Sequence, residues 1–203
     1  MPRRFLHRHQ PSAPAARWIK AGLGTAIAFL AIWLLGEATR ASLIVAPFGA
    51  SAVLLFGVPD SPLSQPANVI GGHAIAAAVA LLTDHLLPAG PLNLAGTVGG
   101  VIALLGLMRL THPPAGATAL VVMLTHPHWS FLAAPVIVGS LILVLVAIVT
   151  HRLPPRHVYP LPLPDHARPK KPRVAEWAAK EEAAGAAATG TEAVPVEVER
   201  SVT

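Results

Sequence analysis

Apolar residues in this chain come in long blocks, not in strict alternation with polar ones. Six blocks can be read: Trp18–Gly36, Ala41–Gly57, Ala67–Thr83, Pro91–Met108, Pro113–Thr125 and Phe131–Thr150. Lys, Arg, Asp and Glu are nearly absent inside them. Phe131–Thr150 is twenty residues without a charge, enough for a helix to cross a hydrocarbon core of about 30 Å. Four blocks read as ordinary spans. The second and fifth are shorter, carry Pro and Gly near their starts, and run into the Pro-containing turns Val58-Pro59-Asp60-Ser61-Pro62 and His126-Pro127-His128. Broken helix at membrane depth is tolerated only where protein or a cavity satisfies the freed backbone groups. These two are therefore candidates for discontinuous or re-entrant helices. The expected fold is all-α: a polytopic membrane helix bundle of four long spans and two short, membrane-embedded helices.

The second and fifth blocks also resemble each other. Pro47-Phe48-Gly49-Ala50-Ser51-Ala52 lies over Pro114-Ala115-Gly116-Ala117-Thr118-Ala119, each followed by three aliphatic residues. At the same offset of 67, Val69-Ile70-Gly71-Gly72 lies over Val136-Ile137-Val138-Gly139. Ordered Pro, Gly and Ser/Thr matches point to an internal repeat with three segments per half. If the short segments cross, the halves are inverted; if they are re-entrant, the halves are parallel.

Charge adds orientation. Hydrophobic residues make up 53% of the chain and charged residues 12%, about half the share of a soluble domain. The formal charge of +5 sits mainly outside the blocks, in Arg3, Arg4, Arg8, Arg17 and Lys20 and again in Arg152, Arg156, Arg168, Lys170, Lys171 and Arg173. Basic flanks around apolar spans fit the positive-inside rule rather than nucleic-acid binding. Both termini are expected in the cytoplasm of a multi-pass protein of a bacterial inner membrane, with an even number of crossings. Residues 1–38 have the basic start and apolar run of a secretory signal, but the run from Ala21 to Leu35 is at the long limit for one and no convincing small-x-small cleavage site precedes Arg40. The division expected is a disordered basic tail over 1–16, a transmembrane domain over 17–152, and a Pro-rich basic linker with a mostly disordered tail over 153–203. With no cysteine, disulfides and thiolate metal sites are excluded.

Candidate chemistry concentrates at the two P-x-G-A-[ST] openings. Pro fits a first helical turn, small residues allow close approach, and free N–H groups at a helix start favour an anion. Gly49, Ala50 and Ser51, with Gly116, Ala117 and Thr118, are thus candidate anion ligands. The alternative is tight packing through small residues. His112, just before the second opening, is a candidate donor or proton carrier, or else a histidine capping a turn. Asn68 and His73 lie on the third block, where polar side chains should face protein; Asn68 after Pro66 is also a candidate cap, and His73 a hydrogen-bonded structural residue. Arg109 would attract an anion or snorkel to headgroups. No Ser/His/Asp triad, HExxH, Walker A or GxGxxG motif stands in a usable context, so neither enzyme activity nor a cofactor is expected. The ten histidines show no helical pairing suited to haem or metal.

Ala46–Gly57, Ser61-Pro62-Leu63-Ser64-Gln65-Pro66, Asn68–His73 and His112-Pro113-Pro114-Ala115-Gly116-Ala117-Thr118-Ala119-Leu120 resemble the HPP family of integral membrane proteins. The resemblance covers about residues 17–152. It implies a compact domain usually described with four transmembrane helices, which six segments match only if two are re-entrant. It also implies transport, with plastid and cyanobacterial members linked to nitrite. It carries over no binding residues. The resulting expectation is a transporter or channel for a small inorganic anion, nitrite favoured, using the paired helix starts. A domain this small encloses little volume, so a homo-oligomer in contact with lipid is expected, without nucleic acid. A histidine-ligated redox protein and a non-transporting scaffold are the alternatives.

Overall fold

The computed structural model describes residues 12–163. Among them there are six helices and no strands: α1 (Ala15–Thr39), α2 (Pro47–Gly57), α3 (Ala67–Leu86), α4 (Pro91–Leu107), α5 (Pro113–Thr125) and α6 (Leu132–Arg152). The chain is an all-α membrane helix bundle. α1, α3 and α6 are each long and apolar enough to cross a membrane. α4, read from sequence as a fourth long span, has 17 residues, or about 25 Å of helix. Within the apolar block Ala41–Gly57, Ala41–Val45 is not helical and α2 begins at Pro47, in the first-turn position that a missing N–H suits.

Local chemistry explains the irregular turns. Helix α6 opens with a distorted turn over Leu132–Ile137, in which Ala134 is extended (φ −138°, ψ 116°) because it precedes Pro135. Regular helix follows from Val138. Helix α3 likewise opens in a wide π turn, Ala67–Gly71, before regular helix from Gly72. Arg109 takes a left-handed conformation (φ 58°) after α4, where its amide bonds to Gly106 O and that of Leu110 to Leu105 O. That closure leaves its side chain exposed.

Contacts fix the direction of every helix. Lys20 Nζ, on α1, donates to Leu153 O (2.8 Å) and Pro155 O (2.6 Å) just beyond α6. Arg17 Nη2 donates to Gly57 O at the end of α2 (3.2 Å), and His151 Nε2 donates to Leu55 O (2.8 Å). The start of α1 and the ends of α2 and α6 thus share one end of the bundle, called here the near end. Asn68 Nδ2 at the start of α3 donates to Thr111 O (2.9 Å), so the connection from α4 to α5 lies toward this end too. At the far end His126, after α5, meets Asp84 on α3 at 2.6 Å, and Asn93 on α4 donates to Thr83 O (3.4 Å). Successive helices therefore run antiparallel. Arg17, Lys20, Arg152 and Arg156 gather at the near end. Residues 153–162 are not helical and lie against the bundle: Tyr159 is buried and its hydroxyl donates to Ser64 O (2.9 Å), and Leu161 N donates to Gln65 Oε1 (2.8 Å). Of the tails expected over 1–16 and 153–203, residues 1–11 and 164–203 lie outside the described residues.

Residues matched at the offset of 67 are buried alike and touch reciprocally. On α2 the buried face is Pro47, Phe48, Ser51, Ala52, Leu55, Phe56 and Gly57; on α5 it is Pro114, Ala115, Thr118, Ala119, Val122 and Met123, the same positions 67 residues on except that Leu124, the match of Gly57, is exposed. A Cβ on Gly72 would meet Leu110 O at 3.3 Å and Ala115 Cβ at 3.5 Å. One on Gly139 would meet Leu43 O at 3.4 Å and overlap the Phe48 ring. Gly139, Leu43 and Phe48 are the offset partners of Gly72, Leu110 and Ala115. Each of the two glycines thus faces the segment before the short helix of the other half and the second residue of its opening.

Candidate functional site

The buried faces of α2 and α5 carry one hydroxyl each, and both meet α3. His73 Nε2 lies 2.8 Å from Ser51 Oγ, and His73 Nδ1 lies 2.7 Å from Thr118 Oγ1. The same Ser51 Oγ lies 2.9 Å from His112 Nε2, and His112 Nδ1 lies 2.9 Å from Leu63 O in the turn between α2 and α3. Ser51, His73 and Thr118 are 0% exposed and His112 1%. Four polar side chains thus meet in the middle of an apolar bundle. The His73 and His112 ring centres are 4.9 Å apart, and Phe48 closes one side edge-on to His73 at 5.4 Å. Gly72 is what lets α3 approach this closely, because a Cβ there would stand 3.0 Å from His112 Cβ.

Elementary hydrogen-bond chemistry assigns every proton. A carbonyl only accepts, so His112 Nδ1 carries a proton and donates it to Leu63 O. In the neutral ring Nε2 is then a lone pair, and Ser51 must donate to it. Ser51 Oγ consequently accepts from His73 Nε2–H. His73 Nδ1 is left as an acceptor, and Thr118 donates to it. The four bonds form one chain with a single sense, Thr118 to His73 to Ser51 to His112 to Leu63 O. The Pro47 carbonyl, at 3.3 Å from Ser51 Oγ, is the longer and weaker alternative for that hydroxyl.

Of the residues proposed from sequence, Ser51, His73, His112 and Thr118 come together. Gly49, Ala50 and Ala117 do not: they are exposed on the opposite helix face, and Gly116 is half-buried beside Ile102. Pro47 and Ser51 are four apart and share a face, which turns Gly49 and Ala50 outward. The Gly49 amide is used by Ala46 O (3.1 Å), and that of Ala115 by His112 O (2.8 Å). The side chains that converge, Ser51 and Thr118, stand one turn further in than the first amides of the two openings. Asn68 ties α3 to Thr111 O instead of capping its own helix. Arg109 has no side-chain bond to the four. Sequence reasoning missed Leu63, whose contribution is a carbonyl, and His151, which is buried beside Tyr159. Among the described residues no three His, Cys, Asp or Glu side chains are grouped to hold a metal.

Comparison with known proteins agrees with this membrane architecture. The family described as HPP, transmembrane region, matches residues 10–160. Two transmembrane proteins of Dictyostelium discoideum are similar. One is 35% identical over 161 residues, covering 74% of this chain and 56% of the relative. The other is 30% identical over 152 residues, covering 71% and 49%. The chain thus spans about half the length of these curated relatives. No solved structure matches.

Proposed function

This chain belongs to the HPP transmembrane family, and from that premise we propose that it is a transporter or channel for a small inorganic anion, nitrite favoured, and not an enzyme. The observation that carries the reading is the buried quartet of Ser51, His73, His112 and Thr118. Polar groups inside a membrane bundle are costly and mark substrate pathways by default. Hydroxyl and imidazole N–H donors suit a small anion, and the first turns of α2 and α5 bring their positive dipole ends beside them. The basic side chains of the near end would raise the local anion concentration at its mouth.

The reciprocal contacts at the offset of 67 support reading the two halves as an inverted repeat, with Ser51 and Thr118 as equivalent residues flanking the axis. Inverted repeats commonly hold substrate at their interface and open it to either side by moving one half against the other. The closed quartet then corresponds to an occluded arrangement. In this reading the near end faces the cytoplasm, all six helices cross, and copies of the chain associate in the membrane.

The decisive experiment is uptake of labelled nitrite into proteoliposomes. Uptake above protein-free vesicles, reduced in Ser51→Ala and Thr118→Val, is expected. Folded protein without uptake would reject the reading. The complete hydrogen bonding of the quartet would then favour the scaffold alternative, in which buried polar groups serve packing specificity.

A further inference from the structure

We infer that Thr118, His73, Ser51 and His112 form a directed proton relay from the centre of the bundle to its near end, so that the anion crosses together with a proton. This rests on the transport reading above and names its coupling. The observation is the continuity of the chain. Four bonds of 2.7–2.9 Å join four side chains to the Leu63 carbonyl; His73, Ser51 and His112 each give and take one proton, Thr118 gives one, and the carbonyl fixes the sense. A buried serine bridging two imidazoles is costly as mere packing, since an apolar core of the same shape would need none of these bonds. A hydroxyl can accept a proton on its oxygen while releasing the one it held, and an imidazole can accept on one nitrogen while releasing from the other.

The step balances without any co-reactant. The conjugate acid of a small anion gives its proton to Thr118 Oγ1: its own O–H bond breaks and the anion is freed. Thr118 passes its original proton to His73 Nδ1. His73 passes Nε2–H to Ser51 Oγ, and Ser51 passes its proton to His112 Nε2. His112, now a cation, releases its Nδ1 proton to water at the Pro62–Ser64 turn. One proton enters at Thr118, one leaves at His112, and no electrons change hands.

Surroundings favour a wire over a trap. His73 is faced by Phe48 and Ser51 from α2, by Thr118 from α5 and by His112 just before it; His112 is faced by Ser51 from α2, by Gly72 from α3 and by Leu63. Among the described residues, no carboxylate, Lys or Arg side chain hydrogen-bonds to the four, so no fixed charge pins the proton midway. After one passage every bond in the chain has reversed, and the lone pair of His112 Nδ1 faces the lone pairs of Leu63 O. That mismatch makes the original polarity the resting one and asks the turn or the ring to move before the next proton. Toward the far end the chain stops at Thr118. Ala76, Ala77 and Ala80 line α3 beyond it, all fully buried, so the relay opens to one side only in this arrangement.

The test uses the full-length protein in vesicles of neutral lipid enclosing a pH-sensitive dye, with labelled nitrite as probe. Exchange at equal nitrite and equal pH on both sides reads transport alone. Dye response to an inward nitrite gradient, less that of protein-free vesicles, reads accompanying protons and removes the permeation of nitrous acid. Both signals are expected in the wild type. His112→Asn retains a donor for Leu63 O but has nothing where Nε2 stood, and should lower proton entry relative to exchange on the order of a hundredfold, the low end of what a positioned proton-transfer group supplies. Exchange with proton entry no greater than background would overturn the relay and leave transport standing. Loss of both in folded wild-type protein would overturn transport, and the relay with it. An unchanged ratio in His112→Asn would also overturn the relay. Should that variant not fold, nitrogen NMR of the wild-type imidazoles decides. The proton is expected on Nε2 of His73 and on Nδ1 of His112, and the opposite tautomer at either would refute the directed chain.

Discussion

Ser51 and Thr118 occupy matched positions, yet their hydroxyls do unequal work, and this gives a quantitative prediction. Thr118→Val is nearly isosteric and leaves one buried acceptor, His73 Nδ1, without a donor. An orphaned buried polar group costs about 1–3 kcal/mol. Ser51→Ala leaves two: His73 Nε2–H loses its acceptor and His112 Nε2 loses its donor, for about 2–6 kcal/mol. A water could rescue both only if it fitted where a single oxygen had been, and a water's share of liquid volume is about 30 Å³. The ratio is safer than either value, because the membrane reference state lowers both alike. Unfolding of the two variants in detergent, followed by helical signal against denaturant, should place Ser51→Ala clearly below Thr118→Val. Equal losses, or a larger one for Thr118→Val, would mean that Ser51 does not bridge the two histidines.

Four further outcomes follow from other contacts. Gly139→Ala should destabilise the protein by about 1–3 kcal/mol or prevent folding, because its Cβ overlaps Phe48, whereas Gly49→Ala, with open space, should be neutral; thermal unfolding of both variants checks this. Tyr159→Phe should cost about 1 kcal/mol by removing the donor to Ser64 O and should raise proteolysis of residues 153–162, visible on a limited digest. Reporter fusions before Ser12 and after Pro162 should both signal cytoplasm, and a signal from the opposite side at either would break the even number of passes. At the near end, burial and then Arg17 and Lys20 hold the His157 pKa below its ordinary 6.5. The unfolded chain therefore binds the proton more readily, and the contribution to stability present above that value should fade as pH falls below it, measurable as a drop in midpoint.

Much of this was readable from residues alone. The six blocks located every helix to within a few residues, because charge exclusion and Pro/Gly punctuation act locally. The apolar block around α2 begins earlier than the helix, since Ala41–Val45 is as apolar as helix, and only Pro47 marks where the first turn closes. Ser51, His73, His112 and Thr118 could be named as polar residues with no lipid-facing excuse. Their convergence could not, because it depends on which way each helix is rotated. The small residues Gly49, Ala50 and Ala52 around Ser51 hide that phase; the i, i+4 pair of Pro47 and Ser51 was the available signal. The carbonyl of Leu63 and the ring of Phe48 against Gly139 belong to tertiary approach, for which a single sequence carries no local mark.

The division of the quartet between the two halves bears on how the protein is made. Ser51 and His73 are synthesised first, and their partners His112 and Thr118 come 61 and 45 residues later. At ribosomal rates of about 5–20 residues per second, that leaves roughly 2–9 s in which His73 lacks Thr118. Lipid offers those groups no hydrogen bond, so α2 and α3 gain little by leaving the insertion machinery early. The first three helices are therefore expected to stay at the translocon until α5 emerges, entering the bilayer with their partners and not ahead of them. A chain terminated after Leu86 should accordingly be extracted or degraded, whereas the same three helices supplied with residues 91–162 as a separate polypeptide should be rescued.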